Sequence, residues 1–211
     1  MKTEDLIKAL AADSIPEPGT PRLALSALPL ALLVALFLLW ITLGFRADLG
    51  AAILTPISAM RFVLSLGLGV AGLGLVLALS RPHGISRRWQ MLAGSVVAIA
   101  LILWGANWLA TPSDALGMAV RGKTLVVCLV TIPVLSVLPA VVLFRALRNG
   151  ATTRPSLAGA GVGMASGGFA AALYAMHCTE DNPLFYVTWY GVGILAVTII
   201  SSLLGQKLLR W

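Results

Sequence analysis

The sequence predicts an all-α polytopic membrane protein, a bundle of six transmembrane helices with both termini in the cytoplasm. Three observations carry this reading. Of 211 residues, 59% are hydrophobic and 11% charged, against about 25% charged in an average soluble domain, so the surplus apolar surface has to face lipid. Six stretches free of Asp, Glu, Lys and Arg, at 23–45, 62–80, 89–113, 124–144, 155–179 and 182–206, run 19 to 25 residues, and about 20 residues cross about 30 Å of hydrocarbon. With the amino terminus inside, the 15 basic residues divide 11 to 4 in favour of the cytoplasm, the bias of the positive-inside rule.

Residues 1–22 form a cytoplasmic head, and 23–211 the transmembrane bundle. In the head, Thr3 suits a helix cap, Glu4 and Asp5 suit the positive amino end of the helix, and Leu6, Ile7 and Leu10 form an apolar ridge. About ten residues make no stable helix alone in water, so a partner is implied. Lys2, Lys8 and Arg22 against Glu4, Asp5, Asp13 and Glu17 leave the head at −1, which favours a protein groove over an anionic lipid surface. The stretch 23–45 is too long and too far from the start for a signal peptide and is expected to stay as the first span.

The second span carries Ser65, Gly67, Gly69, Gly72 and Gly74, and the fifth carries Gly159, Gly163 and Gly167, continued by Ala171 and Ala175. Such small-xxx-small spacing lets backbones approach closely. Packing within the bundle is the plain reading, and a homodimer face the sharper one. In the fourth span Pro133 and Pro139 each remove a helical hydrogen bond, giving either a static bend or a hinge beside Cys128. Arg46 and Arg61 fall in the first outer connection, so no charge is expected deep in a span, which argues against a small transporter or permease. The chain has no CxxC pair, zincin motif, phosphate loop or nucleophile elbow. That argues against an enzyme, including the rival reading as a membrane thiol oxidoreductase. The +7 charge lies scattered at helix ends rather than in a stripe, so direct nucleic-acid binding is not expected.

The two cysteines stand fifty residues apart, yet topology returns both to the outer face. Cys128 lies about one turn below the start of the fourth span, and Cys178 where the fifth emerges. There a disulfide is permitted. Cys178 is flanked by His177, Glu180 and Asp181, so with Cys128 the segment is a candidate site for a soft divalent metal ion, bound as a regulator rather than a constitutive cofactor. The opposing reading makes Cys128 a small buried hydrophobe and His177, Glu180 and Asp181 a solvated loop.

The combination of Lys2-Thr-Glu-Asp-Leu6, Thr153-Arg-Pro155, Ala175-Met-His-Cys178, Glu180-Asp-Asn-Pro-Leu-Phe185 and Trp189-Tyr-Gly191 resembles the NrsF-type negative regulators of sigma F, six-helix inner-membrane anti-sigma factors. The resemblance runs over essentially the whole length. Its most specific part is His-Cys-x-Glu-Asp followed by Trp-Tyr-Gly, and Thr179 stands where the family pattern leads one to expect proline. It implies that an extracytoplasmic-function sigma factor is held inactive at the inner membrane. It also implies two cysteines, here Cys128 and Cys178, that sense heavy metal or oxidative stress and release the sigma factor.

Overall fold

The computed structural model describes residues 3–5, 7, 19–82, 84 and 86–209. Among the described residues, six helices are long and apolar enough to cross a membrane. In chain order the elements are α1 (Thr20–Thr42), α2 (Leu49–Leu54), α3 (Pro56–Leu79), α4 (Arg87–Ala110), α5 (Leu116–Arg121), α6 (Leu125–Arg148), α7 (Pro155–Tyr174) and α8 (Pro183–Leu208). In the head, Thr3, Glu4, Asp5 and Ile7 are helical and exposed, whereas Leu6 and Leu10 lie outside the described residues.

Local chemistry sets most boundaries. Proline occupies the first turn of α1, α3, α7 and α8, where its missing N–H has no intrahelical partner to lose. Asn182 caps α8 by accepting from the Leu184 N–H at 2.9 Å. Helix α1 is closed just past its end by Gly44, whose φ is +73° and whose N–H donates to the Leu39 and Trp40 carbonyls, the left-handed stop that glycine adopts without Cβ strain.

The glycine-rich α7 is the axis of the bundle, packed chiefly on α8 and α3 and also on α6. A Cβ at Gly163 would collide with Thr198 Cα and the Val197 carbonyl of α8, and one at Gly72 of α3 would enter the α7 backbone at Ala165. Gly159 and Gly167 face Ser201 and Ile194 of the same α8. The stripe of Gly159, Gly163 and Gly167 is therefore occupied within the chain and is no free homodimer face. Close backbone contact supplies the dispersion that holds helices together where lipid removes the hydrophobic drive. Pro133 and Pro139 lie inside a continuous α6, and the Ser136 hydroxyl donates to the Pro133 carbonyl at 2.7 Å.

Helix α4 is peripheral, with Val96 its one buried residue. It is fastened by Val96 against Gly67, Trp89 against Gly74 and a Trp104 Nε1 to Thr188 Oγ1 bond of 3.0 Å. The exposed Leu30, Phe37, Trp40, Leu101, Ile102 and Val130 would be an aggregation surface in water and form a lipid-facing one here.

Six crossings give the bundle two ends. One gathers Thr20, which donates to the Ala146 carbonyl at 2.9 Å, Ala151, bonded to the Ser80 carbonyl at 3.0 Å, and the Ser156–Ser202 hydroxyl pair at 2.9 Å. The other gathers α2, α5 and the turn between α7 and α8. There Tyr186 donates to the Ile57 carbonyl at 3.1 Å and Trp189 to the Val120 carbonyl at 2.7 Å. Two boundaries differ from the sequence reading by five residues or more. Helix α7 stops at Tyr174, and α3 begins at Pro56, which draws Arg61 into a span.

Candidate functional site

Residues 175–182 link α7 to α8, and both cysteines are found with this turn. Cys128 and Cys178 are free thiols at 0% and 1% exposure, in one apolar cluster with Leu39, Leu64, Tyr174 and Tyr190. Thr124 joins them. Its carbonyl accepts the Cys128 N–H at 2.9 Å, closing the first turn of α6, and its hydroxyl lies 3.8 Å from Cys178 Sγ. The hydroxyl that meets the sulfur of the turn therefore belongs to the residue one helical turn before the other cysteine.

Two arginines hold the turn from behind. Arg46, just beyond α1, donates its backbone N–H to the Met176 carbonyl at 3.1 Å. Its side chain then donates from Nη1 to the Cys178 carbonyl at 3.1 Å and makes a two-pronged pair with Asp181 at 2.8 and 3.0 Å. A second fork holds Asp48 at 2.7 and 2.8 Å. Arg61 comes from α3 and donates from Nη1 to the same Cys178 carbonyl at 3.0 Å and to the Glu180 carbonyl at 3.3 Å, and the same nitrogen forms an ion pair with Asp181 Oδ1 at 2.9 Å. Planar, permanently charged guanidinium is the group able to serve several acceptors at once.

The electrostatics follow from this lattice. Hydrogen bonds donated to Asp48 and then Asp181 push the Arg46 pKa above its ordinary value, against the pull of burial. The bond from Arg46 holds Asp48 down at about 2. For Asp181 burial pulls upward, but Arg46, Ser58 and the charge of Arg61 together bring it below the usual carboxylate value.

The remaining sequence candidates point elsewhere. His177 Nδ1 lies 3.0 Å from the Gly44 carbonyl. An acceptor-only carbonyl makes that nitrogen the protonated one. Glu180 Oε1 accepts the Lys123 backbone N–H at 2.7 Å. The set Cys128, Cys178, His177, Glu180 and Asp181 is thus not assembled as a metal cage, and no group of three ligating residues occurs among the described residues. The physical reason is charge: the carboxylate of Asp181 neutralises buried guanidinium, while His177 and Glu180 tie the turn to α1 and to the start of α6. The donor set does not fit a tetrahedral zinc-type ion, which needs four ligands.

Arg46, Arg61 and Asp48 were not among the sequence candidates, because outer arginines read as topology markers. A signal was present: beyond the head the acidic residues are Asp48, Asp114, Glu180 and Asp181, all in connections at the same end of the bundle, where paired charge is expected near a bilayer edge.

The family model described as "Negative regulator of sigma F" matches residues 10–211. The anti-sigma-F factor NrsF of Caulobacter vibrioides is 40% identical, with both chains covered in full. The probable anti-sigma-F factor NrsF of Azospira oryzae is 33% identical, again over the whole of both chains. No solved structure matches.

Proposed function

Because the chain belongs to the NrsF family of negative regulators of sigma F, we propose that it is a membrane-bound anti-sigma factor. It keeps an extracytoplasmic-function sigma factor on the cytoplasmic face of the inner membrane and frees it when Cys128 and Cys178 react on the far side. The head, with exposed Thr3, Glu4, Asp5 and Ile7, is the first contact for the sigma factor.

One observation carries the sensing half of the proposal. Cys178 is bonded through its carbonyl to arginines from the α1–α2 connection and from α3, and its sulfur meets Thr124 at the head of α6. A change at the sulfur therefore pulls on three of the six spans at once. Oxidation removes two electrons and two protons from the thiol pair, delivers them to the oxidant and joins the sulfurs. A soft cation captured by both thiolates is the alternative signal. Either brings Cys128 toward Cys178 and strains Thr124 between them. Moving a sigma complex from 99:1 bound to 1:99 takes about 5.5 kcal/mol of differential stabilisation. Pro133 and Pro139 interrupt the hydrogen-bond ladder of α6 on the way inward, which makes that helix the candidate carrier.

The test is co-purification of a sigma factor encoded beside this gene with full-length protein, before and after diamide or cadmium. The expected result is release from the native chain and retention by Cys128→Ser and Cys178→Ser. Release from all three alike overturns the sensing role, and failure of the native chain to retain sigma overturns the anti-sigma role.

A further inference from the structure

Arg61 is fully buried, and only Nη1 of its guanidinium is used by the turn. Nε and Nη2 meet no acceptor among the described residues, and neither does the hydroxyl of Tyr190, itself 3% exposed. The face of the guanidinium lies 5.3 Å from the Phe62 ring centroid, a contact that leaves the in-plane N–H groups free. Arg61 and Tyr190 line one small cavity together with Ser65, between α3, α4 and α8, walled otherwise by apolar groups such as Leu64, Leu68 and Ile194. Its volume is about 50 Å³, room for one or two water-sized bodies.

Of the three orphaned groups, Nε and Nη2 of Arg61 can only donate, and the Tyr190 hydroxyl can donate or accept. Water filling it brings donors of its own to a space already rich in them, whereas an anion only accepts. The charge points the same way. Arg46 is matched by two-pronged pairs with Asp48 and Asp181, whereas Arg61 meets a carboxylate only through Nη1 at Asp181 Oδ1, so its Nε and Nη2 edge faces no counter-charge among the described residues.

We propose that Arg61 and Tyr190 form a binding site for one small inorganic monoanion of halide size, held by Nε, Nη2 and the phenolic hydroxyl. Its occupancy stiffens Arg61 and through it the Cys178 carbonyl, so the anion slows opening of the thiol turn. The consequence for sigma release rests on the anti-sigma reading; anion binding itself does not.

The experiment uses the full chain in detergent, with chloride or bromide exchanged for gluconate at constant ionic strength, and follows thermal unfolding and the rate of Cys178 alkylation in Cys128→Ser. Chloride is expected to raise the unfolding midpoint saturably and to slow alkylation at least threefold. Tyr190→Phe, which removes only an unpaired hydroxyl, is expected to fold and to need at least threefold more chloride for the same effect. Arg61→Lys, where it folds, is expected to lose the response. Equal midpoints in chloride and gluconate, or an unchanged chloride response in Tyr190→Phe, overturns the site whatever happens to sigma. A chloride-dependent midpoint with an alkylation rate indifferent to chloride overturns the coupling to the turn.

Discussion

Arg46 and Arg61 donate to the same oxygen atom, the Cys178 carbonyl, at 3.1 and 3.0 Å, and both also hold Asp181 Oδ1, at 2.8 and 2.9 Å. One reaches it from the connection after α1 and the other from inside α3. The cysteine turn is thus fixed by groups more than a hundred residues away in the chain.

Removing the Arg61 charge should be costly. Arg61→Met deletes two hydrogen bonds and an ion pair and leaves Asp181 with one cation, and breaking a buried ion pair costs about 3 to 5 kcal/mol. The Asp181 side chain is 38% exposed, so a loss near the lower end is expected, read as a fall in the thermal midpoint in detergent. An unchanged midpoint would show that the lattice is not a stabilising element.

Acid should loosen the same lattice. Asp48 and Asp181 are held below the ordinary value of 3.8. A carboxyl depressed in the folded state contributes stability that is complete above its unfolded pKa and fades as pH falls through the folded one. The midpoint should therefore be flat from pH 7 to about 5 and fall below about 4, with the contribution of Asp48 lost near pH 2. Asp181→Asn should flatten part of that acid limb.

Two glycines separate packing from propensity. Gly163→Ala drives a methyl into the α8 backbone at Thr198 and should cost about 1 to 3 kcal/mol. Gly191→Ala, on α8 with nothing within 4 Å of the added carbon, should be neutral or gain about 0.5 to 1 kcal/mol from helix propensity. Parallel unfolding curves decide the pair, and equal losses would contradict the central place of α7.

Sidedness needs a reporter other than the native thiols, since their burial should keep an impermeant maleimide from labelling the folded protein. In a Cys128→Ser, Cys178→Ser background, Ser113→Cys and Thr153→Cys place exposed thiols in connections at opposite ends of the bundle. Labelling of intact spheroplasts at position 113 and not at 153 is expected for cytoplasmic termini. The reverse pattern would invert the proposed topology.

The six spans were legible because hydropathy reports a solvent, and six crossings already return Cys128 and Cys178 to one end. The spacing of Gly159, Gly163 and Gly167 was legible as close packing, though its partner, α8, was not. Arg61 was misplaced because counting from charge to charge starts a span after the last charge, while the helix starts at Pro56. Its acceptors on residues 178–181 are tertiary and leave no local pattern. The six-residue helices α2 and α5 are too short for a period to emerge. His-Cys-x-Glu-Asp reads as a ligand string when side chains are counted, yet three of its members face Gly44, Lys123 and Arg46.

Helix α4 buries a single residue, Val96, so its outer flank is pressed into place by acyl chains more than it is gripped by protein. The outline of the molecule is in that respect a property of the bilayer. A thinner or more fluid membrane should let α4 tilt away from the α3–α8 cleft long before the guanidinium lattice gives, which makes lipid thickness a variable to hold constant whenever this protein is compared between membranes.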